Sequence, residues 1–424
     1  SLIALALMYF TVAFGNSAPL DAINTSLASL SNLSWVIILL VYSYVASILP
    51  VWMLLQPRDY INSLQLLSAM ALVLAGLVVA GLVGVTHDGV TQSLEIAAPA
   101  VRAAPEGAPL LFPFLFITIA CGAISGFHCL VSSGTSSKQI KCESDAQFVG
   151  YGSMLTEGFL AVIVILACVA GLGLGIDSIS NPGTFLTGAD AYADRYATWQ
   201  SAAGLGAKVG AFVEGAANFV KALGLDPSFA IALMGVFVAS FAATTLDTAC
   251  RLQRYVTQEL AATLKLRPLT NKHAATILAI SVAFTIAAMP VGAAEWSWAN
   301  GGKGGLNLWP LFGATNQLLA GLAFLVILFW MWRRNIPVWF IAIPASFMLV
   351  LPGTALGIEI FKTGGWLDKE NYLLIGIAAV TLGLEIWIII EALVAWPKAK
   401  GLIEPQLQPL GQTSQTSPDG GRSC

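Results

Sequence analysis

Charged residues are scarce in this sequence: Asp, Glu, Lys and Arg make up 10% of the 424 residues, whereas hydrophobic residues make up 57%. Soluble domains carry about a quarter charged residues. A soluble fold of this length cannot bury so many apolar side chains, so most of them must face lipid. The mean hydropathy of +0.78 agrees with this interpretation. We therefore predict an all-α protein, a polytopic transmembrane helical bundle.

The signatures of soluble enzymes and of metal sites are also missing. The sequence contains no GxSxG, GxxxxGK[ST] or HExxH motif, so enzymatic activity is not expected. It has three histidines and six cysteines without CxxC spacing, so we predict neither a metal site nor another cofactor. No basic stripe is present, which argues against a nucleic-acid partner. The lipid bilayer is the partner that the composition does indicate.

Long apolar runs are what the sequence does contain, and about 20 such residues can cross about 30 Å of hydrocarbon. We predict about ten spans, at 1–15, 34–55, 64–85, 110–131, 152–173, 227–249, 274–290, 306–331, 337–360 and 371–396. A further stretch at 208–224 has helical periodicity but carries Glu214, Asn218 and Lys221. We expect that stretch on the membrane surface or as a re-entrant segment.

Loop charges and chain ends complete the predicted organisation. Placing the loop QPRDYINS (56–63) in the cytoplasm puts 13 of the 20 Lys and Arg residues on that side, as the positive-inside rule requires. Residues 1–400 then form one transmembrane domain, and 401–424 form a disordered cytoplasmic tail rich in Pro, Gly, Ser, Thr and Gln. The chain starts at Ser1 inside an apolar run, so we expect an N-terminal part to be missing.

Polar groups inside apolar runs are functional candidates, because a charge at the membrane centre costs about 2.5–3.5 kcal/mol. The first group lies in TIACGAISGFHCLVSSGTSS (118–137). One interpretation is close helix packing through Gly122 and Gly126. The other is a discontinuous helix, weakened after Leu130, with His128 as a proton carrier. The substrate-binding candidates in this stretch are Ser125, Gly126, Ser132 and Ser133.

The second group lies in FAATTLDTACRLQRYVTQEL (241–260), at the end of a predicted span. Asp247 is a candidate for proton coupling, and Thr244 and Thr245 are candidates for substrate binding. The alternative is a solvated helix end in which Asp247 pairs with Arg251 or Arg254.

Two further groups interrupt apolar helices. Asn316 and Gln317 in NLWPLFGATNQLLAGLAFL (307–325) are adjacent carboxamides that need partners at membrane depth, either another helix or a substrate. Glu157 in GYGSMLTEGFLAVIVIL is a third proton-coupling candidate, unless it lies among the headgroups. Glu385 and Glu391 are weaker candidates.

Four stretches resemble the carbon starvation protein family, CstA: ASILPVWMLLQPRDYINS (46–63), 111–161, FAATTLDTACRLQRYVTQEL (241–260) and LWPLFGATNQLLAGLAFLV (308–326). Pro57, Arg58 and Asp59 match the PRDY block of that family. The S-G-F-H, T-L-D and N-Q blocks are matched by residues 125–128, 245–247 and 316–317. The family's N-terminal Gly-His-His block is absent from this chain, in keeping with a missing N-terminal part.

This resemblance implies a multi-pass permease of a bacterial or archaeal inner membrane, distantly akin to the amino acid/polyamine/cation superfamily with its inverted repeats. We expect a secondary active transporter that imports peptides or pyruvate with protons under carbon starvation. A homo-oligomer is compatible with this role. The alternative is a membrane nutrient sensor that binds its ligand without accumulating it. The basic segment 250–273 and the C-terminal tail would then signal to a cytoplasmic partner.

Overall fold

The computed structural model describes residues 2–15, 17–87, 89–102, 107–202, 204–292 and 295–402. The all-α prediction is confirmed. The helices are α1 (Leu2–Ala13), α2 (Ala18–Ala28), α3 (Asn32–Ile48), α4 (Leu55–Val83), α5 (Phe116–Ala123), α6 (Gly126–Gly134), α7 (Asp145–Leu166), α8 (Gly188–Tyr196), α9 (Leu205–Ala222), α10 (Pro227–Thr263), α11 (Lys272–Ala288), α12 (Trp309–Arg333), α13 (Trp339–Phe361) and α14 (Tyr372–Ala399). Two short antiparallel hairpins pair β1 (Val85–His87) with β2 (Val90–Gln92) and β3 (Ile176–Asp177) with β4 (Phe185–Leu186).

Seven helical segments of the described chain are long and apolar enough to cross a membrane: Leu55–Val83, Leu111–Lys138, Asp145–Leu174, Pro227–Thr263, Gly304–Arg333, Trp339–Phe361 and Tyr372–Ala399. The pair α1 and α2, bent by 87°, would make an eighth span. Helices α3 and α11 are apolar but have 17 residues each, about 25 Å, which is short of the hydrocarbon thickness. The chain is a multi-pass membrane protein, but the predicted count of ten spans is not confirmed.

Two helices differ from their predicted bounds in ways that matter for the site. QPRDYINS (56–63), predicted as a loop, forms the first two turns of α4. Pro57 is tolerated there because the first N–H groups of a helix have no acceptor within it. Helix α10, predicted to end near residue 249, continues to Thr263. The charged residues in both stretches therefore lie on helices rather than in loops.

The chain folds as two compact units. Unit 1 comprises Ser1–Ala108, Val149–Ala288 and Ser297–Gly302, and unit 2 comprises Pro109–Phe148, Met289–Trp296 and Lys303–Cys424. The single transmembrane domain over 1–400 stays a prediction. Most of the predicted tail, residues 403–424, lies outside the described residues.

Helix α9 is the centre of unit 1, so the predicted placement on the membrane surface was wrong, and the alternative of a re-entrant segment stays a prediction. Phe219 and Val220 are fully buried in a cluster that includes residues of α4 and α10. A Cβ on Gly76 of α4 would lie 2.1 Å from the Phe219 carbonyl oxygen, and one on Gly215 would lie 2.0 Å from that of Ala167. Backbones approach this closely only where side chains are absent, which explains the small residues of α9.

The polar residues of α9 find partners inside unit 1. The guanidinium of Arg195 on α8 donates to both carboxylate oxygens of Glu214, at 2.8 and 2.9 Å. Asn218 donates to the carbonyls of Gly171 and Gly175, at 2.8 Å each. The ammonium of Lys221 donates to Asn218 Oδ1 at 2.9 Å, so all three polar residues have partners inside the protein.

Asp194, beside Arg195 on α8, anchors the loop before that helix. Burial alone would raise its pKa, but the N–H groups of Ile179 and Ser180 and the Ser178 hydroxyl donate to its carboxylate. These hydrogen bonds stabilise the ionised form and lower its pKa to about 2.

Unit 2 is built around α12, which packs against α5, α6, α13 and α14. A Cβ on Gly321 would lie 2.9 Å from the carbonyl oxygen of Met348 on α13, so these two helices are also in close contact. An apolar cluster that includes Leu311, Leu356 and Leu374 joins α12, α13 and α14. On another side of α12, Asn316 contacts Cys121 of α5 and Phe127 of α6.

Candidate functional site

The candidate span Leu111–Lys138 of unit 2 is interrupted in its middle. Helix α5 ends at Ala123, Ile124 has φ −136° and ψ 81°, and Ser125 is extended before α6 begins at Gly126. The predicted discontinuity is present, but its predicted position after Leu130 was wrong. The helix continues through Leu130 to Gly134.

Asn316 on α12 bridges this interruption. Its Oδ1 accepts hydrogen bonds from the Phe127 N–H at 2.8 Å and from the Ser125 hydroxyl at 3.3 Å. Its Nδ2 lies 3.1 Å from Ser125 Oγ and 3.0 Å from Cys121 Sγ. Ser125 makes no capping bond of its own at the start of α6. A side chain from another helix therefore supplies the cap that a helix N-terminus normally takes from its N-cap residue.

Gly126 allows the backbones of α6 and α12 to meet at this point. A Cβ there would lie 2.2 Å from the Asn316 carbonyl oxygen and 2.7 Å from the Ala320 nitrogen. A larger residue would push α6 away from Asn316. The structure thus brings Ser125, Gly126 and Asn316 together, as one group of sequence candidates.

Gln317, the next residue of α12, is 1% exposed. Neither its Nε2 nor its Oε1 has a hydrogen-bond partner among the described residues. Leaving a buried polar group unsatisfied costs about 1–3 kcal/mol. The hydrogen-bonding demand of this carboxamide is therefore not met by the described residues.

The other candidates of this stretch are exposed. The hydroxyls of Ser132 and Ser133 donate to carbonyls of their own helix, those of Cys129 and Leu130, at 3.0 and 3.2 Å. His128 is also exposed, as is Glu157 on α7. Their roles stay predictions.

In unit 1, Asp247 of α10 is completely buried and forms an ion pair with Arg58 of α4. The Tyr42 hydroxyl of α3 donates to the same carboxylate at 2.9 Å. The alternative of a solvated helix end was wrong, because the partner of Asp247 is a helix distant in sequence. Thr244 and Thr245, also on α10, both donate to the Phe241 carbonyl, so their hydroxyls are satisfied locally.

Two more arginines of α10 lie beside this ion pair. Arg251 is 2% exposed and Arg254 is 6% exposed, and the Nε of each has no partner among the described residues. Arg251 Nη2 donates to the carbonyls of Ala46 and Leu49, at 2.5 and 2.7 Å. These carbonyls lie at the C-terminal end of α3, which carries partial negative charge. The Arg254 guanidinium lies 4.7 Å from the centre of the Tyr255 ring.

We call Tyr42, Arg58, Asp247, Arg251 and Arg254 the arginine cluster. Its three guanidinium groups are accompanied by two carboxylates, that of the buried Asp247 and that of Asp59, which is 48% exposed, and both pair with Arg58. Positive charge therefore exceeds carboxylate charge by one, and neither Arg251 nor Arg254 has a carboxylate partner among the described residues. Such a surplus suits a bound anion, since an unpaired charge is costly to bury.

Sequence reasoning missed Tyr42, Arg58, Arg251 and Arg254 as site residues. A signal was present for the last two, because Asp247, Arg251 and Arg254 follow the i, i+4, i+7 spacing of one helix face. The PRDY block around Arg58 was recognised only as a family feature. Nothing in the local sequence indicates that Arg58 reaches Asp247.

No group of three or more His, Cys, Asp or Glu residues in the described part of the chain could hold a metal ion.

The chain matches the carbon starvation protein CstA family over residues 1–355. It is 30% identical to a peptide transporter CstA of Campylobacter jejuni over 382 residues, covering 82% of this chain and 52% of the relative. It is 33% identical to a peptide transporter CstA of Helicobacter pylori, covering 77% and 50%. It is 29% identical to the pyruvate/proton symporter BtsT of Escherichia coli, covering 88% and 57%. The chain spans about half the length of these curated relatives. No solved structure matches it.

Proposed function

Because the chain belongs to the carbon starvation protein CstA family, we propose that it is part of an inner-membrane secondary transporter that imports peptides or pyruvate with protons. Relatives named as peptide transporters and as a pyruvate/proton symporter support this substrate class. Both kinds of substrate carry a carboxylate and are small enough to enter a helical bundle.

The observation that carries the proposal is the interruption between α5 and α6. Non-helical backbone at membrane depth is tolerated where it is buried in protein or lines a cavity, and transporters use such breaks to bind substrates. Asn316 Oδ1 accepts a hydrogen bond from the Phe127 N–H. The other first-turn N–H groups of α6 have no acceptor within the helix and can donate to a polar oxygen of the substrate. Ser125, Gly126, Asn316 and Gln317 form this substrate subsite, and Gln317 supplies the unsatisfied amide.

Proton coupling rests on Asp247 in the arginine cluster. Protonation of its carboxylate breaks the ion pair with Arg58, whose guanidinium then keeps the exposed Asp59 as its carboxylate partner. A substrate carboxylate can then replace Asp247 as the partner of Arg58, with Arg251 and Arg254 adding positive charge. In this scheme the proton and the anion bind together, which is the requirement for symport. His128 and Glu157 are the other proton-coupling candidates, and Ser132, Ser133, Thr244 and Thr245 the other substrate-binding ones.

Uptake by proteoliposomes tests the proposal, with the protein expressed from its complete reading frame. Labelled pyruvate and dipeptides are supplied with and without an inward proton gradient. We expect accumulation that depends on the gradient in the wild type and is lost in Asp247→Asn. Glu259→Gln, an exposed carboxylate on the same helix, is the matched control and should leave accumulation unchanged.

Two outcomes contradict the proposal. Undiminished uptake after collapse of the proton gradient removes the coupling. Binding of substrate without counterflow or accumulation replaces the transporter with the sensor.

A further inference from the structure

Glu385 lies in the middle of α14, in unit 2. Thirteen residues precede it in the helix and fourteen follow it, so each end of α14 is about 20 Å away. In a candidate span of this length, that position is close to the centre of the hydrocarbon. It also lies beyond residues 1–355, the part of the chain that matches the family. Neither the substrate subsite nor the arginine cluster includes it.

The carboxyl group of Glu385 is enclosed by the neighbouring helix α13. The residue is 5% exposed, and its Oε2 has no hydrogen-bond partner among the described residues. A Cβ on Gly353 of α13 would lie 3.0 Å from Oε2 and 3.2 Å from Oε1. The missing side chain at Gly353 is therefore what leaves room for the carboxyl group in the seam between α13 and α14.

No basic side chain balances this group within the described part of the chain. Helices α12 and α13 pack against α14, and their titratable residues are Arg333 and Glu359. Arg333 is the last residue of α12 and donates to the Leu402 carbonyl. Glu359 forms an ion pair with Lys362. On α14 itself, Lys398 lies 13 residues from Glu385, so it cannot reach the carboxyl group.

We propose that Glu385 is a proton-binding site of the α13–α14 seam, occupied by a proton at neutral pH. An ionised carboxylate in this place would have no counter-ion among the described residues and no hydrogen bond to Oε2, which makes the charged form costly inside a membrane. A bound proton removes the charge and leaves one O–H group in place of a buried anion. The site is distinct from Asp247, whose carboxylate is stabilised by Arg58, and it extends beyond the proposed function.

Infrared spectroscopy of the reconstituted protein tests the proposal directly, because the C=O stretch of a protonated carboxyl group is separate from the bands of carboxylates. The wild type is compared with Glu385→Gln at neutral pH. We expect a protonated-carboxyl band in the wild type that is missing from the variant. Glu359→Gln, which removes an ion-paired carboxylate of α13, should leave this band unchanged. The proposal is overturned if the spectra of the wild type and Glu385→Gln coincide in this region.

A stability measurement gives a second, independent result. If the folded state holds a proton that the unfolded state releases above about pH 4.3, the wild type loses stability relative to Glu385→Gln as the pH rises. A pH-independent difference between the two proteins would contradict the proposal. Neither readout requires transport, so failure here and failure of the proposed function are distinguishable.

Discussion

The ion pair between Arg58 and Asp247 can be tested by a double-mutant cycle. In Asp247→Asn, the arginine cluster keeps three guanidinium groups and loses its buried carboxylate. In Arg58→Gln, the fully buried Asp247 carboxylate keeps, among the described residues, the Tyr42 and Thr248 hydroxyls as its direct partners. Removal of one member of a buried ion pair costs about 3–5 kcal/mol. The cost of Asp247→Asn should be near the upper end of this range, because the positive charges of the arginines then remain together without the buried carboxylate.

The double variant Arg58→Gln/Asp247→Asn removes both charges at once, so its cost should be smaller than the sum of the single costs. We expect a coupling free energy of about 1–3 kcal/mol. The assay is reversible unfolding in mixed detergent micelles, followed by tryptophan fluorescence. Asp59→Asn is the control: its side chain is 48% exposed, and loss of an exposed partner should cost about 1 kcal/mol or less.

The result that refutes the reasoning is additivity. If the two single costs sum to the double cost within about 0.5 kcal/mol, Arg58 and Asp247 do not interact in the folded protein. The coupling mechanism, in which protonation of Asp247 breaks its ion pair with Arg58, would then have no physical basis.

The cap of α6, the close approach of α6 to α12 and the ionised Asp194 each give a further prediction. Asn316→Ala should destabilise the protein by about 1–2 kcal/mol through loss of the α6 cap and should speed amide hydrogen exchange in α6. Unchanged exchange would contradict the capping role of Asn316. Gly126→Ala should separate α6 from α12 and lower the unfolding temperature, whereas Gly122→Ala, whose Cβ would meet nothing within 4 Å, should not; equal effects would contradict the close approach. The pKa of Asp194 is lowered to about 2 from the usual 3.8. The ionised carboxylate therefore stabilises the fold above about pH 4, and this stabilisation is lost as the pH falls towards 2. Proteolysis at residues 176–196 should therefore increase in that window in the wild type, and Asp194→Asn should be equally sensitive above and below it.

The apolar runs of the sequence were enough to predict an all-α membrane protein, because lipid-facing helices need a nearly continuous apolar surface. They were not enough to predict where helices end. Helix α10 continues past its apolar run since the charges of Asp247 and Arg251 find partners on α3 and α4. Those partners are about 190 to 205 residues away in sequence, beyond the reach of any local pattern.

The interruption of the span Leu111–Lys138 was predictable in kind but not in position. Small and hydroxyl-bearing residues in an apolar run indicate a weak point, and the run contains several. Hydroxyls at Ser132 and Ser133 bond to carbonyls of their own helix and leave it intact. The break lies instead at Ser125, where Asn316 of another helix offers the replacement hydrogen bonds. A tertiary contact therefore decides between several local candidates.

The charge of the arginine cluster constrains the kind of substrate that unit 1 can bind. Helix α3 has 17 residues, and its C-terminal carbonyls accept from Arg251, so this guanidinium is held by partial charges rather than by a carboxylate. Arg254 has no carboxylate partner among the described residues. A neutral ligand would add bulk to the cluster and leave its excess positive charge in place. A carboxylate would neutralise that charge and could supply acceptors for the two unpartnered Nε groups. Peptides and pyruvate, the substrates in the proposed function, share this group, so under that proposal we expect the cluster to recognise the carboxylate and not the rest of the molecule.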